Sequence, residues 1–309
     1  MEKVMNAKTL RLNLILLFFS LVISCRITSH KTIVQLPAEV YVAEKTEAFN
    51  KLYLNKIKSA NWQAKLSGLL DLDDKKSKNE ELRDRIEPVE VYFYVLEHPK
   101  YGTYLIDSGV EHALKEPAED DHVGFMVKYV MGLENLKVHQ TMKEWLESYD
   151  RDLEGLFLTH LHVDHILGLP DLPKSINIYA GPGEVTASSG LKSAAVRLTT
   201  NKLFEGHRPI QELDIEPYEG FDFFGDRSLL IYSVPGHTKG SLAFLVHAQD
   251  GKHLVTGDTC HTVWGWEHGV APGDFTEDRD DNRKSLSFLK KLVESEGGVK
   301  VHLGHQSIE

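Results

Sequence analysis

The stretch Thr159-His160-Leu161-His162-Val163-Asp164-His165 decides how this chain is read. It follows Leu156-Phe157-Leu158, a short apolar run that predicts a buried strand delivering the histidines at its end. His160 and His162 are two apart, so their side chains point to one face. Asp164 and His165 come where the chain turns toward a helix and can converge on a neighbouring point. Three imidazoles and one carboxylate packed so closely offer nitrogen and oxygen donors suited to zinc, iron, manganese or cobalt. The bland alternative is a set of surface histidines, against which the density of the cluster argues in a chain with 16 histidines.

Three later residues extend the pattern. His237 lies in Pro235-Gly236-His237-Thr238-Lys239-Gly240-Ser241, just past the strand-like Leu229 to Val234. Asp258 lies in Thr256-Gly257-Asp258-Thr259, past Lys252 to Thr256, and His305 in Leu303-Gly304-His305-Gln306, past Val299 to Leu303. Each stands where a strand ends, so all of them can line one edge of the sheets. Upstream, Val89 to Leu96 and Thr103 to Ile106 flank the turn-like His98 to Gly102 and lead into Asp107-Ser108-Gly109, a hairpin and loop. Ile176 to Ala180 and Ser241 to His247 read as further strands, and Glu184 to Thr200 and Ser285 to Glu294 as helices. Val110 to Tyr149 reads as helical, with one stripe of Met126, Val130 and Met131 and another of Met142, Trp145 and Leu146. Such stripes are expected in a core, a lid over a pocket being the sharper alternative. Strands in runs punctuated by helices predict an α/β (α+β) protein, a four-layered αβ/βα sandwich rather than a regular βαβ alternation.

The 309 residues, 41% hydrophobic, suffice for one large core. A net charge of −11 argues against gripping nucleic acid by its phosphates and against anionic polymers as substrates, leaving small neutral molecules. An acidic surface also serves plain solubility. At the N-terminus Lys3, Lys8 and Arg11 precede an apolar run from Leu12 to Ile23, too short for a permanent span, and Val22-Ile23-Ser24-Cys25 follows. This predicts a signal peptide over residues 1–24 whose end resembles a bacterial lipobox, with Cys25 lipidated and the protein anchored to a membrane of the cell envelope. An ordinary cleaved signal is the alternative. Cleavage moves the charge to about −13, and lipidation of Cys25 leaves Cys260 without a disulfide partner. Residues 25–85 then form a lead-in, and 86–309 the catalytic domain. In the lead-in, Ile33 to Leu36 and Glu39 to Val42 are strand-like, Asn50 to Leu70 has spacing compatible with helix, and Asp71 to Asp84 is a solvated charge run.

The HxHxDH run at 160–165 followed by His237, Asp258 and His305 resembles the metallo-β-lactamase superfamily, over roughly Val89 to Gln306. The resemblance implies two divalent metals, zinc first among them. One would be held by His160, His162 and His237, the other by Asp164, His165 and His305, with Asp258 bridging. It implies hydrolysis by a metal-bridging hydroxide, with Asp164 orienting or receiving a proton and Asp107 supporting the site without ligating. The family's Gly-His context favours His305 over His302 for the last position.

Within that family Asp258 argues against the best-known β-lactamases, which lack it, and the 51 residues after it leave no room for the added helical domain of glyoxalase II enzymes. Pro88 to Gly109, THLHVDH and PGHTKGS most resemble the branch of N-acyl-homoserine lactonases, arylesterases and organophosphate hydrolases. Many lactonases carry a tyrosine three residues past the bridging aspartate, where this chain has His261, as organophosphate hydrolases tend to. His261 would donate a hydrogen bond to the leaving group or carbonyl, or simply pack beside the metals. Trp264 and Trp266 would wall the pocket with aromatic surface, core packing being as good a reading for at least one. The reading is an exported hydrolase of small esters or lactones. The alternatives are an organophosphate, phosphodiester or β-lactam hydrolase of the same fold, or a non-catalytic metal-binding lipoprotein.

Overall fold

A computed structural model describes residues 29–32, 52–116, 121–187 and 194–308. The expected signal peptide, Cys25 and the strand-like runs at 33–36 and 39–42 lie outside these.

Thirteen strands among the described residues form two sheets. The larger has the order β1-β8-β7-β6-β4-β3-β2-β5, made of β1 (Ser29–Thr32), β2 (Tyr53–Lys65), β3 (Ile86–His98), β4 (Gly102–Ile106), β5 (Lys137–Val138), β6 (Leu153–Phe157), β7 (Asn177–Ala180) and β8 (Ile210–Leu213). The smaller has the order β13-β12-β11-β10-β9, made of β9 (Gly220–Asp222), β10 (Leu229–Ser233), β11 (Leu242–Ala248), β12 (Gly251–Val255) and β13 (Val299–His302).

Alternation along the strands builds the layers. On β3, Val91, Phe93 and Val95 face the helices outside the larger sheet, while Tyr92, Tyr94 and Leu96 face the other sheet. On β10 and β11, Leu229, Ile231, Leu242, Phe244 and Val246 face inward to meet them, and Leu230, Tyr232, Ala243 and Leu245 pack under the helix Arg279–Glu296. Phe157 sits in the middle, its ring 4.7 Å from Phe223 and 5.3 Å from Tyr179. The result is helix, sheet, sheet, helix, the four-layered arrangement expected.

Strand direction decides where the chemistry goes. β4, β6, β7 and β8 run parallel, so the loops after β4, β6 and β7 open on one edge of the larger sheet. In the smaller sheet β10 and β12 are both antiparallel to β11, and β13 is parallel to β12, so the loops after these three strands also share an edge.

The structure corrects two readings. Tyr53–Lys65, expected as helix, is a 13-residue strand paired with β3 along its length, from Tyr53 opposite Glu97 to Lys65 opposite Ile86. The long partner sets its conformation, and tertiary pairing overrides mixed local spacing. Val110 to Tyr149 is broken into short pieces, with helices only at Phe125–Met131 and Met142–Ser148, 3₁₀ turns at His112–Leu114 and Leu133–Asn135, and β5 between. The two stripes separate: Met142 and Trp145 are core, but Met126 is 66% and Val130 80% exposed, beside Phe125 at 82% and Tyr129 at 76%. The seven-residue helix Phe125–Met131 buries only Val127 fully. In the expected helix Glu184 to Thr200, the described residues Glu184–Ala187 and Ala194–Leu203 are helical, and residues 188–193 lie outside the described ones.

Candidate metal centre

The loops after β6, β10, β12 and β13 bring all seven predicted ligand residues together. Ligand atoms of His160, His162, His237 and Asp258 lie within 4.8 Å of one another, and so do those of Asp164, His165, Asp258 and His305. Asp258 Oδ2 is common to both groups. It lies 3.1 Å from His305 Nε2, 3.3 Å from His165 Nε2, 3.6 Å from His237 Nε2 and 3.8 Å from His160 Nε2. His162 is the exception in orientation: its Nδ1 faces the site, 2.8 Å from His237 Nε2. Asp164 Oδ2 stands 3.3 Å from His305 Nε2 and is the more exposed of the two carboxylates. Asp258 has room because residue 304 is glycine; a Cβ there would lie 2.1 Å from Asp258 Oδ1.

Hydrogen bonds from outside the cluster aim the rings. Asp107, after β4, accepts from Thr159 N–H (2.8 Å), from the Thr159 hydroxyl and from His165 Nδ1 (2.8 Å). It adopts a left-handed backbone, φ 57°, which aspartate tolerates better than most residues. The Thr159 oxygen in turn accepts from His160 Nδ1 (3.0 Å), and the Glu90 carbonyl accepts from His305 Nδ1 (3.0 Å). With Nδ1 engaged, Nε2 of His160, His165 and His305 points inward. The Nε2 atoms of His160 and His165 and Oδ1 of Asp258 are buried without a hydrogen-bond partner. Polar atoms are seldom buried unpartnered unless something else takes them, and convergent imidazole nitrogens with carboxylate oxygens fit divalent metal.

The electrostatics divide the two groups. Burial, reinforced by neighbouring histidines, holds His160 and His237 well below the ordinary imidazole value, and burial lowers His162 too. Burial also opposes charge on His165 and His305, but the carboxylates outweigh it. Asp258, Asp107 and Asp164 hold His165 well above its ordinary value, and Asp258 and Asp164 hold His305 at about 9. Asp258 is kept well below the usual carboxylate range: burial works against this, and the imidazoles of His305, His165 and His261 overcome it.

His261 is buried at the same centre, with Nε2 3.0 Å from Asp258 Oδ2 and no hydrogen-bond partner. Its Nδ1 donates to the Leu69 carbonyl at 3.2 Å, which turns Nε2 toward the site. That contact comes from the stretch before residue 86, which therefore touches the centre. His302, the rival for the last ligand position, turns away, its Nε2 2.9 Å from His253 Nδ1. Trp264 stacks on His268 beside Leu66 and Leu70, and Trp266 packs in the apolar clusters beneath the helix Arg279–Glu296, as core. Burial pushes the Cys260 thiol up to about 12, which makes it inert.

Sequence reasoning passed over Glu184. Its carboxylate is buried among the ligand loops, and burial raises it to about 7 against the hydrogen bonds it accepts. Nothing but its place just past β7 could have drawn notice to it.

A family profile described as the metallo-beta-lactamase superfamily matches residues 86–305. The N-acyl homoserine lactonase AttM of Azorhizobium caulinodans is 28% identical over 232 residues, covering 70% of this chain and 82% of that protein. In fold, the chain is similar to a quorum-quenching N-acyl homoserine lactone lactonase, with a TM-score of 0.60 at 18% identity over 83% of this chain and 92% of that one. It is also similar to AidC, a dizinc quorum-quenching lactonase solved with a product, with a TM-score of 0.56 at 14% identity over 85% and 92%.

Proposed function

We propose that this chain, which belongs to the metallo-beta-lactamase superfamily and is a metallo-hydrolase of it, opens small neutral esters or lactones on the outer side of a bacterial membrane. The observation that carries the substrate class is the alignment with the Azorhizobium lactonase over 82% of that protein's length. His160, His162, His237 and Asp258 would hold one ion and Asp164, His165, His305 and Asp258 the other. Bound there, zinc would supply a water of lowered pKa and polarise the scissile carbonyl.

The chain's own groups do the rest. Asp164, the carboxylate nearer solvent, orients the attacking water and takes its first proton. His261, with Nδ1 fixed on the Leu69 carbonyl, is built to accept at Nε2 the second proton of the attacking oxygen and pass it to the leaving oxygen. This modifies the donor role expected from sequence, because the ring donates from Nε2 only after it has been protonated.

A hydrolysis panel on zinc-loaded protein tests the reading: N-acyl homoserine lactones, simple γ-lactones, 4-nitrophenyl esters and paraoxon. Lactones and aryl esters should turn over with the highest kcat/KM. Turnover of paraoxon alone would overturn the ester and lactone reading in favour of an organophosphate hydrolase, the second reading that His261 favours. Bound zinc with no turnover at all would leave a non-catalytic metal-binding protein. Export is tested separately. A palmitate analogue should label the protein in cells, and Cys25→Ser should abolish labelling; equal labelling of both would remove the lipid anchor. Among the described residues no helix is long and apolar enough to cross a membrane.

A further inference from the structure

We propose that Glu184 is a positioning residue for the first ligand group, tying the loop of His160 and His162 to the loop of His237 so that three imidazoles meet at the spacing one ion requires. The inference rests on reading the cluster as a metal centre.

Glu184 opens the short helix after β7 and is 4% exposed. Its Oε1 accepts from Leu161 N–H at 2.7 Å, the peptide between the two imidazoles of the first loop. Its Oε2 accepts from the Thr238 hydroxyl at 2.7 Å and from Gly240 N–H at 2.8 Å, in the loop that carries His237. One side chain thus joins two loops 77 positions apart, counted from Leu161 to Thr238. The loops already share one backbone bond, from Leu242 N–H to the Thr159 carbonyl at 2.8 Å. That bond joins the two loops at their bases and leaves the tips, where the imidazoles sit, to Glu184.

The surroundings are shaped for this contact. A Cβ at Gly181 would lie 1.9 Å from the Gly240 carbonyl oxygen, and one at Gly240 would lie 2.6 Å from Glu184 Cβ. Only glycine at both positions lets the loop after β7 close down far enough for a carboxylate to reach both partners. The second group is aimed by other residues, His165 by Asp107 and His305 by the Glu90 carbonyl. The effect of Glu184 should therefore fall on one group only.

Glutamine is the discriminating substitution. An amide has a single acceptor oxygen, so in Glu184→Gln the NH₂ must face either Leu161 N–H or Gly240 N–H, donor against donor. The experiment is zinc titration of the full-length protein against a chelator. A His305→Ala background identifies the first-group step. The native protein should bind two ions in resolved steps. Glu184→Gln should weaken the first-group step by about ten- to a hundredfold, as loss of a ligand-orienting partner usually does, and leave the second unchanged. Thr238→Val, which removes one donor and keeps the carboxylate, should weaken the same step by less, and it carries the test should the glutamine variant fail to fold. Native affinity at the first step in both variants, or equal weakening of both steps, would overturn the proposal. If the native protein binds no zinc, the metal-centre reading itself falls.

Discussion

The two ligand groups share Asp258 and differ in almost everything else. The first, His160, His162 and His237, is three imidazoles that burial and mutual repulsion keep neutral. The second sets His165 and His305 among the carboxylates of Asp164, Asp258 and Asp107, and those carboxylates hold protons on the imidazoles in the metal-free protein. The first group is ready to receive an ion as it stands. The second must release protons to do so, because a metal and a proton compete for the same lone pair. A single centre assembled from the edges of two sheets thus carries two different couplings to pH.

That difference can be broken outright at the shared oxygen. Asp258→Ala removes the carboxylate that both groups share; it should lower kcat/KM by about a thousandfold or more, consistent with the several kcal/mol a metal centre supplies, and should cost zinc at both steps of a chelator titration. Loss at one step only would mean that the carboxylate is not shared. A change confined to the second group comes next. Asp107→Ala frees His165 Nδ1 and the Thr159 hydroxyl, and should weaken the second step by about ten- to a hundredfold, with the first step affected less because His160 is reached only through Thr159.

Acidity sharpens the contrast without mutation. His305, held at about 9, and His165, held well above its ordinary value, are protonated below that range in the metal-free protein. Second-group affinity should therefore rise from pH 6 to pH 8 by about tenfold per unit for each proton released. The first group's imidazoles lie below their ordinary value and have no proton to lose there, so that step should stay flat. Equal slopes in titrations at pH 6, 7 and 8 would erase the distinction. The smallest effect is expected at His302, three residues before His305 but turned toward His253. His302→Asn should leave both affinities within about twofold and cost on the order of 1 kcal/mol in unfolding free energy, the usual size for a change at a packed site without ligands.

Much of this centre was legible because its signals are local. His160 to His165 form a ligand cluster by spacing alone, and His237, Asp258 and His305 each stand just past a run of β-branched or aliphatic residues. The strands of the inter-sheet layer were equally plain, since β3, β10 and β11 alternate cleanly between two apolar surroundings. Tyr53–Lys65 was not, because lysines and small residues interrupt its pattern and its conformation comes from pairing with β3. The exposed Phe125, Met126, Tyr129 and Val130 defeated the core expectation for a related reason: a helical stripe records amphipathic spacing and says nothing of whether a neighbour covers it.

By itself the sequence picked out the seven candidate ligands, their order along the chain and the sandwich that carries them, because donor type and strand-end placement are properties of short segments. Tertiary structure alone decided that Asp258 Oδ2 faces both groups, that His162 presents Nδ1, that His305 and not His302 turns inward, and that Leu69 and Glu184 reach the centre. Those outcomes depend on which nitrogen of a ring is engaged by a distant partner. Leu69 holds His261 across 192 positions, and the Glu90 carbonyl holds His305 across 215. A ring's orientation is fixed by the hydrogen bond on its far side, and that partner comes near only when the sheets pack.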